Sequence, residues 1–347
     1  MADKKLGDDM ENIKIAVIDT GIDINDNDIK KHIKFDKSIQ LNQISKYEDL
    51  DDIHGHGTYC VKTILTICDD ISNIEIYPVK IFDNKGITSN ENLVKALENI
   101  LDSDIDIVNI SASTMNDKYK KELKDICDNL QKSGKIIIAS HHKRAKEKDS
   151  FPTVFESVIG VDGIYEIYRD SDYIYRKNNK IQMIANKNEC FIEFNNEVTH
   201  FGKSSRACAV TTGIVCNIFN NYGKLSFDEL GEILANKSMK SSYKPKGVGV
   251  SSYRSTPYRL ELAEKILCII RSKFAVEKID LDFLDKYSLF NNFTEIGNHN
   301  AFDFLTEINR VFDLNIDYRN KFLYELDGLN RLVDLIEKSQ QKISELG

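Results

Sequence analysis

Three stretches of this chain carry side chains suited to acyl-transfer chemistry at the edges of regular elements. In KIAVIDTGID, residues 14–23, a hydrophobic run ends in Asp19, and Thr20 and Gly21 turn the chain at its carboxyl end. An aspartate there equally suits turn or cap chemistry. In DDIHGHGTYCVKTI, residues 51–64, His56 precedes Gly57, Thr58 and an amphipathic helical pattern. A helix-capping loop is the simpler account, and His54 raises a metal site for which no third ligand of suitable spacing follows. In HFGKSSRACAVTTGIVC, residues 200–216, Ser205 opens a helix of small and apolar residues. A helix start stabilises developing negative charge, although Ser204 and Ser205 taken alone suit N-capping. A carboxylate, an imidazole and a hydroxyl together are the ingredients of nucleophilic acyl transfer.

The surrounding pattern determines how these groups must be held. Short β-rich apolar runs occupy residues 13–18, 74–82, 105–110, 135–139 and 158–161, and helical patterns 58–68, 91–101 and 118–131 lie between them. Gly134 closes the last of these helices as a C-cap. Strands alternating with helices predict an α/β fold with a doubly wound, mostly parallel sheet. Residues 163–200 change character toward antiparallel hairpins, and a helix follows from near Ser205 to about Asn221. Ser226 and Glu229, spaced as a capping box, open another. The run IIIASHHKRAKEKDSFP, residues 136–152, reads as a strand buried on both faces that delivers His141, His142, Lys143 and Arg144 to its carboxyl end, where ligands bind in open α/β sheets.

Composition narrows the class. With 347 residues, 41% hydrophobic and 29% charged, the chain has room for a large and a small domain. A net charge of −8 argues against a general nucleic-acid binder. With residue 1 as the start, the first residues lack the apolar core of a secretory signal, and no run is long and apolar enough to span a membrane, so a cytoplasmic protein without membrane partners is expected. The seven cysteines, Cys60, Cys68, Cys127, Cys190, Cys208, Cys216 and Cys268, read as small buried hydrophobes in a reducing compartment. No CxxC pair or His/Cys cluster has metal spacing, so neither metal nor cofactor is expected. The Ser-, Gly- and Pro-rich segment 241–257 reads as a domain end. The expected organisation is an N-terminal extension over 1–12, a first domain over 13–254, and a helical bundle over 255–347.

The three motifs, in the order Asp, His, Ser, resemble those of the subtilisin-like serine proteases. VIDTGID resembles the family's Asp motif, HGHGTYC its His motif, and GKSSRACA its Gly-Thr-Ser-x-Ala motif with Ser204 in the Thr place. VNISAS, residues 108–113, resembles the substrate-lining strand, making Ser111, Ala112 and Ser113 candidate substrate contacts, with Ser113 where a Gly is usual. The resemblance implies that Ser205 attacks a scissile carbonyl, His56 carries the proton, Asp19 orients the imidazole, and the Ser205 N–H donates to the oxyanion. The second oxyanion donor of the family is an Asn, and here His142 or Lys143 stands in its place. Arg206 follows the nucleophile where a small or apolar residue is usual. The expectation is a serine endopeptidase of restricted specificity acting on a peptide or protein, such as the leader of a ribosomal natural product. The alternative is an impaired pseudo-protease that binds peptides or partners in the same cleft.

Residues 262–343 have an order of elements that resembles acyl carrier proteins: helical patterns over 262–274, 300–316 and 328–339 around a long loop. Asn298 stands roughly where a carrier shows its phosphopantetheine serine, so no prosthetic group is expected. Such a module would serve as an interaction surface for the substrate or for a peptide-modifying enzyme.

Overall fold

The computed structural model describes residues 11–41, 44–83, 85–142, 144–145, 148–239, 250–274 and 279–346. Within them the chain forms two compact units, one of residues 11–187 with 202–239, the other of residues 188–201 with 250–346.

The first unit is built on seven strands: β1 (Ile13–Asp19), β2 (Ile74–Lys80), β3 (Ile107–Ile110), β4 (Ile136–Ser140), β5 (Ile159–Ile164), β6 (Ile174–Tyr175) and β7 (Met183–Asn186). They lie in the order β2-β1-β3-β4-β5-β7-β6. Every neighbouring pair is parallel except β6 with β7. The doubly wound sheet expected from the alternation is present, and every residue of β3 and β4 is buried, as apolar runs covered on both faces require. Ala16, Ile18, Val79, Val108 and Ile137 pack on one face with α2 (Asn90–Leu101) and α3 (Lys120–Lys132). Helices α1 (His56–Ile67) and α4 (Lys203–Tyr222) also pack on strands of the sheet. Gly134 has φ +88° just past α3, the left-handed conformation of a helix stop. Helix α5 (Phe227–Lys237) begins with the expected capping box, the Ser226 N–H donating to Glu229 at 2.9 Å.

The region expected to form antiparallel hairpins divides in two. β7 extends the main sheet by pairing parallel with β5, while β8 (Cys190–Phe194) and β9 (Glu197–Phe201) form a separate hairpin. Its turn residues Asn195 and Asn196 have φ of 51° and 62°, the two left-handed positions that a tight two-residue hairpin needs and that asparagine tolerates. This hairpin belongs to the second unit.

The second unit adds α6 (Pro257–Ile269), α7 (Leu281–Lys286), α8 (Ala301–Phe312) and α9 (Leu329–Leu346). The expected long loop thus contains the short helix α7. Its core joins Leu262, Ile266, Phe304, Ile308 and Leu332 to Phe191 of the hairpin. Cys268 is exposed and Cys190 half-buried, which corrects the expectation of seven buried thiols. Burial of Leu262, Ala263, Ile266, Leu267, Ile269 and Ile270 turns residue 268 outward on α6. No helix among the described residues is long and apolar enough to cross a membrane.

Candidate active site

The strand order reverses between β1 and β3, and at such a point the loops beyond the carboxyl ends of the two strands diverge and leave a crevice. Asp19 is the last residue of β1 and is 1% exposed. Its Oδ1 accepts the Thr20 N–H at 2.8 Å and lies 2.7 Å from His56 Nδ1. With the carboxylate as acceptor, Nδ1 carries the proton of the neutral ring, and Nε2 is left as the basic nitrogen. His56 is the first residue of α1, its side chain 37% exposed against 2% for Asp19.

Two glycines permit this approach. Gly21 has φ +110°, and a Cβ there would lie 2.2 Å from Leu50 O; a Cβ on Gly57 would lie 2.2 Å from Gly21 O. The turn after β1 and the start of α1 therefore touch backbone to backbone.

Asp52, four residues before His56, is 3% exposed. Its Oδ1 accepts from the Thr20 hydroxyl at 2.9 Å and from the N–H groups of His54 and Gly55 at 3.0 and 2.9 Å. Its Oδ2 accepts the Thr58 N–H and hydroxyl at 3.0 and 2.8 Å. One carboxylate thus ties the Asp19 turn to the first turn of α1. Replacing Asp52 with Ala leaves several buried donors without an acceptor, and an expected loss on the order of 3 kcal/mol would show as a lower urea midpoint, with Asp52→Asn retaining part of it.

Burial pulls the His56 imidazole toward neutrality, but the charge of Asp19, its hydrogen bond and the more distant charge of Asp52 outweigh this, and the net shift is upward from 6.5. A raised folded-state pKa means that the ion pair's stabilisation is complete below pH 6.5 and is lost as pH rises through the shifted value.

Ser205 lies in the first turn of α4, half-buried. Helices α1 and α4 run side by side in the same direction: Asn217 donates to Ile67 O at 2.9 Å and accepts from the Asp69 N–H at 2.8 Å, while Asn220 donates to Asp70 O at 3.0 Å. A Cβ on Gly213 would lie 3.0 Å from Ile64 O, so the helices touch there. His56 precedes Ile64 by eight residues and Ser205 precedes Gly213 by eight, so both first turns lie about 12 Å back along the pair. A polar path crosses between them: the Cys60 thiol contacts Asp19 Oδ2 at 3.6 Å and Ser111 Oγ at 3.2 Å, Asn109 donates to Ser111 Oγ at 3.3 Å, and Cys208 donates to Asn109 Oδ1 at 3.4 Å.

Asp19, His56 and Cys60 bring donor atoms within 4.8 Å of one another. Burial, reinforced by the Asp19 charge, holds the Cys60 thiol well above the usual range and therefore protonated, which opposes metal ligation.

The model of the subtilase family matches residues 10–253. The chain is a subtilase. It is similar to the Major intracellular serine protease of Bacillus subtilis (strain 168), 25% identical over 187 residues, which are 50% of this chain and 58% of that protein. It is also similar to the Minor extracellular protease Epr of the same organism, 29% identical over 165 residues, 45% of this chain and 24% of that one. The match therefore spans less than two thirds of these curated relatives. Among solved structures, a lanthipeptide protease aligns with a TM-score of 0.51 and 18% identity over 67% of this chain and 81% of its own. A cold adapted subtilisin-like serine proteinase aligns at 0.52 and 15%, over 65% and 82%. These two show the fold.

In this subtilase the loop after β4 is organised by a histidine, a serine and a threonine. His141 is buried, its Nδ1 2.9 Å from Ser150 Oγ, and Thr153 donates to Ser140 O at 3.2 Å. His142 is half-buried, and its Nδ1 accepts the Arg144 N–H at 3.2 Å, so the neutral ring carries its proton on Nε2 as a donor. Lys143, the other candidate oxyanion donor, lies outside the described residues. Ser111, Ala112 and Ser113 follow β3 half-buried, and Thr114 then forms an isolated antiparallel bridge with Phe151, Thr114 N–H to Phe151 O at 2.9 Å.

Two features next to Ser205 were not legible in the sequence. Lys203 has φ +65°, a left-handed conformation that favours glycine. Arg206 is 3% exposed and ion-paired with Asp170, so the bulky residue after Ser205 is buried. Asp170 itself carries no sequence signal, because its meeting with Arg206 depends on chain packing across 36 positions.

Proposed function

We propose that this subtilase is a serine endopeptidase of restricted specificity in which Asp19, His56 and Ser205 form the catalytic triad. The observation that carries the reading is the 2.7 Å contact between His56 Nδ1 and buried Asp19, which leaves Nε2 to take a proton. Ser205 Oγ attacks the peptide carbonyl while its proton passes to His56 Nε2, and Asp19 stabilises the imidazolium. The proton then goes to the leaving amine, and water repeats the sequence on the acyl-enzyme. The Ser205 N–H and a donor from the His142–Lys143 pair hold the oxyanion.

The substrate is a peptide or protein, and we assign it to the class of precursor peptides cut at a leader. The relative named as an intracellular serine protease and the structural neighbour titled a lanthipeptide protease support a processing role inside the cell. The second unit is proposed as an interaction module for the substrate or a modifying enzyme. Its carrier-like order of helices supports this, and Asn298, at the place of the carrier serine, donates to Glu189 at 3.1 Å.

A fluorophosphonate probe tests the triad. Ser205 Oγ displaces fluoride from phosphorus, its proton passing to His56, and the adduct is read by mass spectrometry. Labelling at Ser205 that disappears in Ser205→Ala is expected. No adduct between about pH 6 and 9 would favour the second reading, a peptide-binding pseudo-protease, which the missing oxyanion Asn motivates.

A further inference from the structure

The hairpin β8–β9 leaves the first unit at Lys187 and returns at Gly202, three positions before Ser205. Between those points its residues belong to the helical unit. Phe191 is 5% exposed in that unit's core, with ring centroids 6.2 Å from Phe302 and 6.5 Å from Tyr318. The Tyr318 hydroxyl donates to Glu193 at 2.8 Å, and the Leu323 N–H to Glu189 O at 2.8 Å. The hairpin is therefore held along its first strand, beginning beside the neck, by aromatic packing and hydrogen bonds of the helical unit.

Its neck is held just as firmly. The Lys203 N–H donates to Lys187 O at 2.9 Å, closing the excursion, and Lys203 keeps its left-handed φ there. Strained backbone of this kind persists only where its surroundings impose it. From the next turn, Arg206 reaches Asp170 with two parallel hydrogen bonds, 2.9 and 2.7 Å, and Asn186 O at 3.4 Å. Asn186 in turn donates to Asp170 Oδ1 at 2.8 Å. A bidentate guanidinium–carboxylate pair fixes direction as well as distance. Arg206 thus clamps the first turn of α4 to the strand that leads into the hairpin.

Resting on the triad reading, we infer that the helical unit sets the reactivity of Ser205 through the hairpin, with Arg206, Asp170 and Asn186 as positioning residues at the neck. Whatever holds or shifts the hairpin in the helical unit acts on the segment that delivers the nucleophile and its oxyanion N–H. Displacements near 1 Å at such a site cost up to about 100-fold in rate.

The test is the second-order rate of fluorophosphonate labelling at Ser205 in the full chain, with kcat and KM on a short peptide that the wild type cleaves. Asp170→Asn and Arg206→Met are expected to lower the labelling rate and kcat at least tenfold with KM little changed, and Arg206→Lys to recover part of the loss. Where the helical unit holds the first strand, Phe191→Ala, and the milder Phe191→Leu should the first not fold, are expected to slow labelling severalfold in protein whose circular dichroism is that of the wild type. A purely structural role would lower the thermal midpoint and leave the rate per folded molecule unchanged. Neck variants that label at the wild-type rate, or a slow neck with folded Phe191 variants at full rate, would overturn the inference. Failure of the wild type itself to label defeats the triad reading instead.

Discussion

Asp19→Asn is expected to lower kcat by about 10⁴-fold, the scale seen when the aspartate of a related triad is removed. One Asp19 oxygen, Oδ1, meets both the Thr20 N–H and His56 Nδ1, so Asn either keeps an uncharged oxygen there or gives up the Thr20 bond and turns an N–H toward Nδ1, which favours the wrong tautomer. A pH profile separates this from general damage. With the neutral His56 imidazole as the proposed base, kcat/KM in the wild type is expected to rise with pH through a midpoint above 6.5, the direction in which Asp19 and Asp52 outweigh burial. Without the Asp19 charge, burial dominates, and the residual activity of Asp19→Asn should show its acid limb displaced to lower pH. An unchanged limb would mean that Asp19 does not set the His56 equilibrium.

The second large effect concerns the oxyanion. His142→Ala is expected to lower kcat by about 10²–10³ with little change in KM, since the donor acts on charge that develops only in the transition state. His142→Gln, which keeps an N–H of similar reach, should recover part of the loss. The basis is the Arg144 N–H at 3.2 Å from His142 Nδ1, which puts the neutral ring's proton on Nε2. A loss in Lys143→Ala with full activity in His142→Ala would move the role to the lysine. Full activity in both would show that neither replaces the missing Asn.

These effects bear on restricted specificity. By the resemblance, Ser113 stands where a related cleft has glycine, and Arg206, the residue after the proposed nucleophile, is committed to a buried ion pair. A slow or selective enzyme whose nucleophile depends on a second unit is one that can be held inactive until its substrate is engaged. Measuring kcat/KM with and without a peptide that binds the helical unit would read such dependence directly.

The sheet, the family and the order of the candidate triad were legible in the amino-acid sequence. Apolar runs of fixed length separated by helical patterns leave few ways to bury both faces of β3 and β4, and motifs contained within short stretches, such as VIDTGID and HGHGTYC, do not depend on distant contacts. Gly134, Ser226 and Glu229 were legible for the same reason, as caps act within a turn. Meetings between residues far apart in the chain were not legible there. Asp52 is buried and bonded to the Thr20 hydroxyl, a partner 32 positions away that no local pattern announces. The hairpin 190–201 looked local, but its outward apolar residues, Phe191 above all, are buried by helices more than a hundred positions later. Arg206, in a place where a small or apolar residue is usual, is a buried partner of Asp170. Burial of a polar group is set by whichever distant segment covers it, and a charge is tolerated there only where that segment also brings a counter-charge or hydrogen-bond partners.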